Sequence, residues 1–170
     1  MKGSERLADV FVRAAAAHLG DEAGFRSEAE RALGDEALRH GVKLEPQLEV
    51  TLVTGKADAV FNRLIVEWEP PGGMAASPGH HGNRHAVEQV RKYVDGLAAK
   101  ERRALERLSG VACDGRWMIF SRYRAGRWIV DDPVPVDEAS AGQLLRLPRR
   151  LHGRPNAPGP SSRGPPHARD

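Results

Sequence analysis

Apolar residues recur at helical spacing through the first forty residues of the chain. Between Ser4 and Leu19 they form one stripe, and Ser4 can cap the helix that this stripe predicts. The segment from Gly24 to His40 repeats the spacing less regularly, and Gly34 weakens it. The pattern therefore predicts two consecutive helices before the first strand.

After these helices the pattern changes to the alternation that is typical of β-strands. The three runs that show it are QLEVTLVTG, ADAVF and LIVEWE. Gly55 with Lys56 predicts a turn after the first run, and Asn62 with Arg63 predicts a tight turn after the second. Because these connections are short, we expect the three strands to pair as antiparallel hairpins.

A Gly/Pro-rich stretch ends this group of strands, since proline cannot donate to a strand ladder. Residues 72–84, GGMAASPGHHGNR, have no periodicity and predict a flexible loop. The strongest helical pattern of the chain follows from His85 to Leu108, and its C-terminal half is basic. This half suits the negative end of a helix dipole.

The remaining chain predicts further strands and one short helix. GVACDG and RWMIFSRYRAGRWIV indicate strands that turn at Asp114-Gly115 and Ala125-Gly126, and a helix is expected from Asp137 to Leu147. Residues 149–170 are rich in Pro, Gly, Ser and Arg and predict a disordered tail. Residues 1–148 are thus expected to form one α/β domain.

Composition narrows the class of protein. The chain has 170 residues, a net charge of +3 and a pI of about 9.3, so a polyanionic partner is compatible with its charge. The single cysteine, Cys113, excludes an intrachain disulfide framework. No apolar run reaches the roughly 18 residues of a membrane span. We therefore expect a cytoplasmic protein with no membrane partner.

Three carboxylates stand out within the second and third strand patterns. Glu67 and Glu69 are two residues apart in one strand, so they share a face, and pairing of the neighbouring strand brings Asp58 alongside. Carboxylates gathered on one sheet face repel one another and lose solvation, and a hard divalent cation relieves both penalties. The alternative is an edge strand with a solvated acidic face.

The same residues resemble a known family of nucleases. Asp58 followed by Glu67-Trp68-Glu69 resembles the PD-(D/E)XK nucleases, and GKADAVFNRLIVEWEPPG is similar to the nuclease-like domain at the N-terminus of type I and type IIG restriction–modification proteins. Gln89 and Tyr93 match the Q-x-x-x-Y element of one branch. The resemblance covers about residues 25–148 and implies a restriction-endonuclease-like core, a central mixed sheet flanked by helices.

The resemblance also implies a metal site. Asp58, Glu67 and the backbone carbonyl of Trp68 would hold Mg²⁺, for which Mn²⁺ is a possible substitute. Glu28 on the second helix would be the extra acid that some members carry, and Glu30 is its rival. Asp58, Glu67, Glu69 and Gln89 are then the expected catalytic residues.

Expected contacts to DNA lie on the loop and the long helix. Tyr93, on the same helix face as Gln89, would sit near the nucleic-acid backbone. Arg84 and Arg91 are expected to bind phosphate, because the loop and the helix entry follow the acidic strand directly. As alternatives, Gln89 is an ordinary surface residue and Tyr93 a core aromatic residue.

One departure from the family leaves the activity open. Glu69 stands where the family has lysine, so it cannot supply a positive charge, but it could accept a proton from water or ligate a second metal ion. The expected function is Mg²⁺-dependent cleavage of DNA, with a methyltransferase or specificity subunit as a further partner and pairing of protomers for double-strand cutting. The alternatives are an inactive nuclease-like module that binds DNA, a fragment of a larger restriction–modification protein, or a protein–protein adaptor.

Overall fold

The computed structural model describes residues 3–41, 46–52, 55–61 and 63–151, and it describes side chains for residues 3–41 and 63–147. The helices are α1 (Gly3–Ala17), α2 (Glu22–Arg39), α3 (His81–Glu101) and α4 (Glu138–Leu151), with a 3-10 helix at Leu105–Arg107. The strands are β1 (Pro46–Leu52), β2 (Gly55–Phe61), β3 (Leu64–Trp68), β4 (Ser109–Cys113), β5 (Trp117–Arg124), β6 (Arg127–Val130) and β7 (Val134–Pro135). Within these ranges, no helix combines the length and the apolar character that a membrane crossing requires.

All the strands belong to one mixed sheet. Its order is β1-β2-β3-β4-β5-β6, and β7 pairs with β5 beside this path. β3 and β4 run parallel, whereas every other pair is antiparallel. The predicted α/β class, a mixed central sheet flanked by helices, is confirmed.

Helices cover both faces of the sheet, which gives two hydrophobic clusters. Leu64, Val66 and Trp68 of β3 join the cluster of α1, α2 and α4, while Ile65 joins the cluster of α3. Trp68 anchors the first cluster, with its ring edge-to-face to Phe11 at 5.6 Å and to Phe25 at 5.7 Å. Both faces of β3 are buried, so exposure does not distinguish them. Alternate residues of the strand belong to alternate faces.

The first half of the chain follows the predicted pattern with two exceptions, the first of which is that Ser4 lies inside α1 and does not cap it. Asp21 caps α2, since its Oδ1 accepts a hydrogen bond from the backbone N–H of Gly24 at 3.0 Å. The predicted turn at Gly55-Lys56 is wrong: both residues belong to β2 and pair with β1. The connection between these strands falls at residues 53–54, which lie outside the described residues, as does Asn62 of the second predicted turn.

The long helix is displaced from its predicted bounds. α3 begins at His81, four residues early, and ends at Glu101 because Arg102 adopts a left-handed conformation with φ of 51°. Leu105 and Leu108 follow this break, yet they pack into the α3 cluster. The apolar stripe predicted correctly that both leucines pack inward, Leu108 buried and Leu105 half-buried, although it could not predict where the helix ends.

The C-terminal part confirms both predicted turns and adds two features. Ala125 and Gly126 have φ of 50° and 78°, which is typical of a tight hairpin turn. The two-residue strand β7 had no signal in the sequence. α4 continues to Leu151, so the first residues of the expected tail are helical, and the remainder, residues 152–170, lies outside the described residues.

The packing of α3 on β4 makes a first testable prediction. A Cβ atom on Gly110 would lie 2.1 Å from Cγ1 of Val90, so we expect Gly110→Ala to lower the free energy of unfolding by about 1–3 kcal/mol. Gly34 is the matched control: a Cβ there meets nothing within 4 Å, and alanine is the better helix former by about 1 kcal/mol. In urea denaturation, Gly110→Ala should lower the free energy of unfolding and Gly34→Ala should raise it. Equal changes in the two variants would contradict the close packing of Val90 on Gly110.

Cys113 offers a second test, since it is the only thiol in the chain. Burial raises the pKa of this fully buried thiol far above its ordinary value. We expect a thiol reagent to modify the folded protein at least about 10³-fold more slowly than the chain unfolded in urea, because modification requires opening of the sheet. Comparable rates in the two states would show that β4 is not in the core.

Candidate functional site

The carboxylate of Glu67 lies inside the sheet rather than on an exposed edge. Glu67 pairs with Ala112 of β4 and is 8% exposed. By alternation it shares the face of Ile65, which is the face that α3 covers. A buried carboxylate costs free energy unless charge or hydrogen bonding compensates it. The solvated acidic face considered above therefore does not describe Glu67.

Asp58 occupies a register position next to Glu67. Ala59 of β2 pairs with Val66 of β3, and Asp58 and Glu67 are the next residues along the two antiparallel strands. Continued pairing would place their backbones opposite one another. The side chain of Asp58 lies outside the described residues, so this juxtaposition concerns the backbone.

Glu69 continues the line of β3 beyond the last residue of the strand. Its backbone N–H donates to the carbonyl oxygen of Cys113 at 2.9 Å, which extends the ladder between β3 and β4 by one residue. The residue is partly exposed. Alternation along this extension puts Glu69 on the Glu67 face. We call Glu67, Glu69 and the backbone position of Asp58 the acid end of the sheet.

The acids of α2 have partners on the side of the sheet that α1 and α2 cover. Oε1 of Glu30 accepts a hydrogen bond from Nε1 of Trp68 at 3.0 Å, and Oε2 of Glu28 lies 3.4 Å from Nε2 of His18. The side chain of Trp68 packs against α1 and α2, on the opposite face from Glu67. The structure thus places Glu28 and Glu30 in the α1–α2 layer, which covers the sheet face opposite to that of Glu67.

Two flanks of α3 carry the residues that the sequence singled out. Nε2 of Gln89 lies 3.4 Å from Nε2 of His85, one turn earlier on the helix. Tyr93 is 7% exposed within the α3 cluster, so it has the position of a core aromatic residue. A step of 100° per residue places Gln89 and Tyr93 on one flank, and places Arg84 and Arg91 on the other.

Arg84 and Arg91 line a pocket between α3 and the strands β5 and β6. Its volume is about 390 Å³, and Val130 and Asp132 lie among the residues that line it. The guanidinium of Arg91 also lies 5.7 Å from the ring centre of Trp128. These two arginines therefore face the β5–β6 side of α3, whereas Gln89 projects from the flank turned away from it.

The loop that follows Glu69 is anchored, so the expectation of a flexible loop is wrong. The buried side chain of Asn83 donates to the carbonyl oxygens of Ala75 and Ser77 at 2.7 and 2.8 Å and accepts from the N–H of Ala75 at 3.0 Å. Oδ2 of buried Asp114 accepts from the N–H of Met74 at 3.0 Å. The Asp-Gly pair in the sequence predicted a turn at Asp114. No local pattern in the sequence predicted that Asn83 holds the loop by hydrogen bonds.

The acid end has one side chain that fits a hard cation. Among residues with described side chains, which do not include Asp58, no three His, Cys, Asp or Glu groups gather into a metal site. Glu67 nevertheless is a buried carboxylate at a strand end, next in register to a second acid, and carboxylate oxygens are ligands that Mg²⁺ prefers. Glu67 is thus one group that fits a hard cation, and the sharing of such an ion with Asp58 stays a prediction.

Comparison with known proteins supports the fold. No protein-family model matches the chain, and no curated protein sequence matches it. Among solved structures, the chain is similar to the cryo-EM structure of a DrdV–DNA complex, with a TM-score of 0.54 and 18% sequence identity. The match covers 89% of this chain and 14% of the DrdV chain, so the chain spans about a seventh of that protein. The chain therefore shares its fold with one part of a protein that binds DNA.

Proposed function

We propose that this protein is a metal-dependent endonuclease of the PD-(D/E)XK type that hydrolyses DNA phosphodiesters, and that its function is related to restriction–modification. The observation that carries the proposal is the acid end. A buried Glu67 adjoins the register position of Asp58, on the sheet face that α3 covers. The fold shared with part of a DNA-bound protein adds support.

Asp58 and Glu67 would hold Mg²⁺, with the backbone carbonyl of Trp68 as a third ligand. Such an ion lowers the pKa of a bound water and stabilises negative charge on a phosphoryl group. Burial of Glu67 strengthens its interaction with a cation, because the local dielectric is lower than that of water. The partly exposed position of Glu69, one residue past the strand, suits a group that orients water or takes its proton.

Gln89 would orient the water and the phosphate from the flank of α3. Its amide is held near His85, and the anchored loop connects this helix to Glu69. DNA is the proposed substrate, cleavage of both strands would require two protomers, and a methyltransferase or specificity subunit is the proposed partner. Mn²⁺ is the proposed substitute for Mg²⁺.

The second candidate function is a DNA-binding module without catalysis. Glu69 favours it, because an acid at the lysine position adds negative charge where the family supplies positive charge to the scissile phosphate. A site that has lost this lysine would keep the fold and lose the reaction. The variants described next separate the two candidates.

Nicking of supercoiled plasmid in Mn²⁺ tests the metal ligands. We expect Asp58→Ala and Glu67→Gln each to lower the nicking rate at least about 100-fold, because each removes a charged ligand from the ion. Asp35→Asn, an exposed acid on α2, is the matched control and should nick at the wild-type rate. Equal rates for wild type and Asp58→Ala would reveal a contaminating nuclease and refute the proposed function.

The role of Glu69 is tested in the same assay. If this carboxylate accepts the proton of the attacking water, Glu69→Gln should lower the nicking rate about 100-fold. Glu69→Lys should also lower it, because the proton acceptor is lost. A rate for Glu69→Lys well above that of wild type would instead identify the natural site as a weakened form of the lysine site, and would favour the binding module.

A further inference from the structure

Exposed basic side chains gather at the end of the sheet opposite the acid end. They come from the C-terminus of α3, the 3-10 helix and the β5–β6 hairpin. We call this group the basic end, and its members are Lys100, Arg102, Arg103, Arg107, Arg124 and Arg127. Glu101 and Glu106 are the acids in the same segments, so positive charge is in excess.

Tertiary structure, rather than a run in the sequence, assembles the basic end. The 3-10 helix leads directly into β4, and β4 pairs with β5 so that Ser109 lies opposite Arg122. Arg124 then reaches across and donates to the backbone carbonyl of Glu106. This contact ties the hairpin to the 3-10 helix and makes one continuous surface from residues about twenty positions apart.

Three of these arginines have no carboxylate partner among the described side chains. Arg103 pairs with Glu101. By contrast, Arg102, Arg107 and Arg127 form no ion pair with any carboxylate whose side chain is described, and all three are exposed. A solvated helix face would interleave such residues with acids at i, i+4 spacing. The positive charges of these three arginines are consistent with a partner molecule that supplies the anions.

The backbone at Arg102 gives an independent reason to assign a role to its side chain. Arg102 terminates α3 with φ of 51°, in the left-handed region that favours glycine or asparagine at this position. This backbone conformation does not favour arginine. A strained residue whose exposed side chain has no ion-pair partner among the described residues is a reasonable candidate for a binding contact.

We propose that the basic end binds the phosphate backbone of duplex DNA and is a contact separate from the acid end. The choice of DNA as the polyanion rests on the proposed function. At about 3.3 Å per residue, the length of β3 separates the two ends by roughly 15 Å, which is less than half a turn of B-DNA. One duplex is therefore long enough to touch both ends at once.

The test measures binding of the full chain to a fluorescein-labelled 20-base-pair duplex by anisotropy, in EDTA, across a range of NaCl concentrations. The variant combines Arg102→Gly, Arg107→Gln and Arg127→Gln, and glycine suits the left-handed backbone at position 102. We expect its affinity to fall at least about tenfold at 100 mM NaCl. The slope of log K against log salt should become shallower by about 2.7, the value for three lost phosphate contacts.

The matched control removes three exposed arginines from the helical layer, as Arg13→Gln, Arg31→Gln and Arg39→Gln, with the same change in net charge. It should keep the wild-type slope. Equal slopes for the two triple variants would overturn the proposal, and so would a wild type that does not bind the duplex at 50 mM NaCl. EDTA removes metal ions, so the binding assay does not depend on the nuclease reaction. A protein that binds the duplex in EDTA but shows no nicking in Mn²⁺ would refute the proposed nuclease activity and would still support DNA binding by the basic end.

Discussion

The close packing of α3 against β3 and β4 holds the two halves of the chain in one sheet. β3 and β4 are parallel, and a parallel pair needs a long crossover, which here is the anchored loop followed by α3. Gly110 lets Val90 approach the sheet so closely that no side chain fits between them. This contact covers one face of β3, α1 and α2 cover the other, and alternation puts Glu67 on the α3 face.

Burial of β3 on both faces gives Glu67 its unusual setting. The apolar residues of this strand are shared between two clusters, and the aromatic packing of Trp68 fixes which face each residue takes. Slippage by one residue would exchange the faces and put Trp68 against α3. The position of one large indole on the α1–α2 side is therefore what directs Glu67 toward the α3 side.

Charge is divided between the two ends of the sheet. The roughly 15 Å that separates them exceeds the Debye length of about 8 Å at physiological salt, so the basic end cannot replace a missing lysine at the acid end. A phosphate that approaches Glu67 and Glu69 needs positive charge close by. In the proposed mechanism a metal ion supplies this charge, and the basic end contributes affinity for the DNA backbone instead.

The sequence by itself determined the class of fold, because helical and strand periodicities are local properties. It located α1, α2, the strands β1 to β6 and the turn at Asp114, and it put Asp58 and Glu67 on neighbouring strands. It could not give the end of α3, since a left-handed arginine has no local signal. It also took the loop before α3 as flexible, because the Asn83 and Asp114 hydrogen bonds join residues up to forty positions apart.

The tertiary structure alone decided how the side chains on α3 are distributed. Arg84 and Arg91 follow the acidic strand in the chain, yet the rotation of the helix turns them toward the pocket beside β5 and β6. Glu30 is engaged by Trp68 in the opposite layer, and the arginines of the basic end meet only because β4 and β5 pair. Spacing in the sequence fixes which residues share an element, whereas packing fixes which neighbour each element faces.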